Sequence, residues 1–140
     1  MGEETLWSIV DPSRFATNRS AMALWTEKGE VSYVELADRV LKMEQALRHH
    51  GARVGIPALI IMTPTVEAIA LVLASLKLRI PVFPLGADTP ASAVAAIAVK
   101  TKAQLVAWHR PVTSAADFGS ESGLSFEGKV LSYRLFSRKP

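Results

Sequence analysis

Residues able to carry nucleophilic, acid–base or metal chemistry are few in this chain, and they are poorly spaced for it. There are three histidines: His49, His50 and His109. The first two are neighbours at the end of a helical pattern. On a helix their side chains diverge by about 100°, too wide to share a metal ion easily, and no third ligand lies near them. A cation is favoured at the negative end of the helix dipole, so a solvated helix end accounts for the pair. Cysteine is absent. That excludes disulfides, thiolate metal sites and thiol nucleophiles.

Residues 119–123 (GSESG) form a glycine-bracketed serine loop. A phosphate cradle needs converging backbone N–H groups, usually with a lysine or a helix start directly after. Here Glu121 puts negative charge in the middle, and Leu124, Ser125 and Phe126 follow instead of lysine. The segment reads as a surface loop. No Ser/His/Asp arrangement follows from spacing. Glu27, Glu30, Glu35 and Asp38 fall on or beside a hairpin and an exposed helix face, where solvation explains them. Trp25 and Trp108 end apolar runs and read as packing residues. No catalytic, cofactor-binding or metal-ligating residue is assigned.

The elements around these residues are better marked. The length of 140 residues, 49% hydrophobic and 21% charged, suits one soluble domain spanning 1–140. The net charge of +3 is small and its cations are scattered, apart from Arg134, Arg138 and Lys139. Without a dense basic patch and stacking aromatics, no nucleic-acid partner is expected. The acidic start, MGEETLWSIV, lacks a signal-peptide core, so a cytoplasmic protein is expected. The apolar stretch 56–76 is interrupted by Pro57, Pro64 and Glu67, which reads as buried strand, turn and helix instead of a membrane span.

A short helix is expected over 4–15, then a hairpin of strands 21–26 and 31–33 turning at Gly29. Ser32 and Glu35 form a capping box opening a helix over 33–50, with Leu36, Val40, Met43 and Leu47 as its apolar stripe and Gly51 as its stop. Residues 58–62 (ALIIM), 80–84 (IPVFP) and 104–108 (QLVAW) read as buried strands. Thr63-Pro64 and Thr89-Pro90 each read as an N-cap with proline in the first helical position. Their helices extend to about Lys77 and Lys100. Alternation of strands and helices implies right-handed βαβ units and a parallel sheet. Residues 109–128 read as a loop and 129–136 as a last strand.

Three stretches in succession carry a resemblance. Residues 29–55 (GEVSYVELADRVLKMEQALRHHGARVG) resemble the pattern G-x-x-(T/S)-Y-x-E-L, a long helix, then a glycine step into a strand. Residues 64–77 (PTVEAIALVLASLK) and 77–90 (KLRIPVFPLGADTP) resemble P-N-S-x-E-x-x-x-x-x-L-A-x-x-K and K-A-G-A-V-Y-V-P-L-D-P-x-x-P. In this order they resemble the opening segment of the adenylate-forming superfamily, which includes acyl-CoA synthetases, nonribosomal peptide adenylation domains and luciferases. The likeness covers residues 3–136. Leu78-Arg79 stands where the family has Ala-Gly, Gly86 where Asp is common, and Ile56-Pro57 where Gly-Asp continues.

The resemblance implies an α/β subdomain with parallel βαβ layers and a small N-terminal hairpin. It also implies a ligase that joins ATP and a carboxylate into an acyl-adenylate, with magnesium, and passes the acyl group to coenzyme A or a carrier protein. The family's phosphate loop with its lysine, its nucleotide-binding segments and its catalytic lysine are absent from these 140 residues. The chain is therefore expected to be a scaffold portion, inactive alone, whose partner is the remainder of such an enzyme. The alternative is a non-catalytic module that self-associates or docks on a synthetase or carrier protein.

Overall fold

The structure, a computed structural model, describes residues 22–26, 29–109 and 124–138. The helix expected over 4–15 and the loop at 119–123 lie outside these residues. Strand β1 (Met22–Thr26) pairs antiparallel with β2 (Gly29–Ser32), Trp25 opposite Glu30 and Thr26 opposite Gly29. Gly29 adopts φ +122°, a value that side-chain-bearing residues avoid. The second strand stops at Ser32, one residue short of its expected end, because Ser32 already caps helix α1 (Tyr33–His49). Its hydroxyl accepts the Glu35 N–H at 3.2 Å. Leu36, Val40, Met43 and Leu47 are buried, as the stripe predicts.

Next come β3 (Ala58–Ile61), α2 (Val66–Lys77), β4 (Val82–Leu85), α3 (Ala91–Thr101) and β5 (Leu105–Trp108). Strands β4 and β5 flank β3, both parallel to it. Helix α2 carries the chain to one side of β3, and α3 carries it back to the other. Crossovers of one hand running in opposite directions must lie on opposite faces. The core divides accordingly. Ala58, Ile60, Leu105 and Ala107 pack with α1 and α2, while Leu59, Ile61, Val106 and Trp108 pack with Val94, Ala95 and Ala98 of α3.

Both proline-marked helix starts fall later than expected. Helix α2 is capped by Thr65, whose hydroxyl accepts the Ala68 N–H at 3.3 Å, and Pro64 stands ahead of the cap. Helix α3 has Pro90 itself at the cap, since the Thr89 hydroxyl donates instead to the Gly86 carbonyl at 2.7 Å. Strand β4 begins at Val82, two residues late.

The larger correction is at the C-terminal end. Residues within the expected loop form most of β6 (Leu124–Val130), and the expected last strand is broken by a turn at Leu131-Ser132 before β7 (Tyr133–Arg138). The sheet order is β4-β3-β5-β7-β6, parallel at its centre and antiparallel across β5-β7-β6. Strand β7 completes both cores. Tyr133 and Leu135 join the α1–α2 side and Phe136 the α3 side, all at 0% exposure. Among the described residues no helix is long and apolar enough to cross a membrane.

Candidate functional site

Parallel α/β sheets place their ligand crevices beyond the carboxyl ends of the strands. In this chain that end gathers Thr63 and Thr65 after β3, Glu67 in the first turn of α2, His109 after β5, and Tyr133 at the start of β7. The β3–β5 register ends at Ile60 opposite Ala107. One residue on, the Ile61 carbonyl accepts the Tyr133 hydroxyl at 2.7 Å. Burial raises the Tyr133 pKa above its usual 10.0; a side-chain hydrogen bond with Thr63 opposes this and the charge of Glu67 adds to it. The Thr63 and Thr65 hydroxyls are 2.8 Å apart, and the His109 ring stands 6.3 Å from that of Tyr133. The phenol holds a backbone carbonyl and Thr65 caps a helix. The cluster therefore fixes the loops at this end of the sheet, which is a positioning task.

A second polar group lies between α1 and α2. Glu44 is buried, with one carboxylate oxygen 2.7 Å from Lys77 Nζ and the other 3.0 Å from the Arg48 guanidinium. Sequence reasoning missed Glu44. The available signals were its place beside Met43, between Val40 and Leu47 of the buried stripe, and Arg48 four residues on.

His50 departs from the solvated helix end expected of it. It is half-buried at the α1 C-cap, and its imidazole lies where a side chain at Gly128 would project. A Cβ there would stand 2.6 Å from His50 Cε1. Burial and the neighbouring His49 lower the His50 pKa from 6.5, against the charge of Glu127. Glu127, at the β6 bulge, accepts the Ser137 hydroxyl at 2.5 Å. The His49 and His50 rings meet edge-on, with centroids 4.8 Å apart. Among the described residues no group of three His, Cys, Asp or Glu is placed to hold a metal ion.

The remaining candidates take structural places. Trp108 is buried at 1% exposure in the α3-side core. Glu30 and Glu35 are exposed, and Asp38 pairs with Lys42 at 3.2 Å on the outer face of α1. The Arg134 guanidinium lies 5.9 Å above the Phe126 ring, and Lys129 sits opposite Arg134 in the hairpin. Trp25, Glu27 and the serine loop give no described side chain. Among the described residues, the structure brings none of the sequence candidates into a nucleophile, acid–base or metal constellation.

Comparison with known proteins bears on the fold and on the sequence. The crystal structure of IdnL1 superposes with TM-score 0.64 at 27% identity, over 74% of this chain and 21% of that one. The N-terminal subdomain of Klebsiella oxytoca NpsA gives TM-score 0.66 at 18% identity, over 80% and 29%. CmiS6 gives 0.63 at 18%, over 79% and 32%. This chain therefore spans between about a fifth and a third of those proteins. No curated protein matches it. The family model described as "AMP-binding enzyme" matches residues 12–132. Order of elements, fold and sequence thus agree, and the chain belongs to the AMP-binding, adenylate-forming enzyme family as an N-terminal subdomain segment.

Proposed function

We propose that this chain is the N-terminal scaffold portion of an ATP-dependent ligase that makes acyl- or aminoacyl-adenylates, and that it does not adenylate by itself. In that reaction a carboxylate oxygen attacks the α-phosphorus of ATP and pyrophosphate leaves. The adenylate's acyl group then passes to a thiol, of coenzyme A or of a carrier-protein phosphopantetheine, and AMP leaves. ATP and magnesium belong to the complete enzyme. The partner of this chain is the remainder of that enzyme, joined to it or separate.

The observation that supports this reading is the commitment of the polar groups at the carboxyl end of the sheet. The Tyr133 hydroxyl is engaged by Ile61, and Thr65 by the first turn of α2. This end is built to hold its own loops in place, as a framework requires. The reading frame beyond residue 140 tests it. A Ser/Thr/Gly-rich loop containing a lysine is expected shortly after this region. A stop codon, with no complementing protein made in the same cell, would overturn the proposal.

A further inference from the structure

We draw no further inference here: the strongest candidate, the face of the β6–β7 hairpin where Phe126 is exposed beneath Arg134 with Lys129 opposite it, is an apolar surface for which nothing in the structure shows what covers it.

Discussion

The Tyr133 hydroxyl donates to the Ile61 carbonyl at 2.7 Å, joining residues 72 positions apart in the chain. Tyr133 belongs to the antiparallel hairpin and Ile61 to the central parallel strand, with β5 between them in the sheet. One buried hydrogen bond thus fastens the two halves of the sheet at the end where loops converge. Removing the hydroxyl leaves a buried carbonyl without this donor. Tyr133→Phe should cost about 1–2 kcal/mol of unfolding free energy by urea denaturation. An unchanged midpoint would show that the carbonyl finds another donor.

The same phenol should be visible by titration. Its pKa is raised in the folded chain, so the unfolded state ionises first as the pH climbs past 10.0. Stability from this group is intact below pH 10 and declines above it. Absorbance at 295 nm should show one of the two tyrosines titrating late in the folded chain, and Tyr133→Phe should remove the late component.

Glu44 and Lys77 form the polar contact between α1 and α2. Lys77→Met strips a carboxylate at 8% exposure of its partner on α2 and leaves it only Arg48. A cost of about 2 kcal/mol is expected, below the figure for a wholly buried pair because the Lys77 side chain is 37% exposed. Adding Glu44→Leu to Lys77→Met should recover most of the loss, since the buried charge is then gone. A double variant no more stable than Lys77→Met would show that the pair is not coupled.

Gly128 lies against the His50 imidazole. Gly128→Ala sets a methyl 2.6 Å from the imidazole, so the half-buried ring must swing aside, at a cost of about 1 kcal/mol. Pairing it with His50→Ala should relieve the clash. The pH dependence is separate. The His50 pKa is lowered on folding, so the unfolded chain takes up the proton first and stability falls as the pH drops below 6.5. His50→Gln should flatten that part of the stability–pH curve. An unaltered curve would assign the slope to another group.

Much of the central βαβ framework was legible in the residues. The stripe Leu36, Val40, Met43 and Leu47 and the cap at Ser32 gave α1 almost to the residue, and three short apolar runs gave β3, β4 and β5. The hairpin was not legible for a definite physical reason. Its turn is Leu131-Ser132, with Leu131 at φ +53°, and neither residue belongs to the Asn, Asp and Gly set that marks such turns. The caps misread at Thr63 and Thr89 show the limit of a dipeptide signal. Each threonine hydroxyl had a nearer partner, Thr65 in one case and the Gly86 carbonyl in the other. The candidate site was not legible because its interactions, Tyr133 with Ile61 and Glu44 with Lys77, join elements far apart in the chain.

Positive φ at residues other than glycine gives a further expectation. Arg79 takes φ +58° at the position where the family has glycine. Its sequence departure is thus paid in backbone strain of about 1 kcal/mol. Arg79→Gly should raise the unfolding free energy by about 0.5–1 kcal/mol, and Leu131→Gly should act in the same direction. A loss of stability at Arg79→Gly would mean that the arginine side chain makes a compensating contact.

The central proposal is that this chain supplies the framework of an adenylate-forming enzyme and holds no nucleotide site of its own. Isothermal titration of the 140-residue chain with ATP and magnesium tests this most directly. The account predicts no heat of binding above dilution. Saturable binding at micromolar ATP would place a nucleotide site within these residues and contradict it.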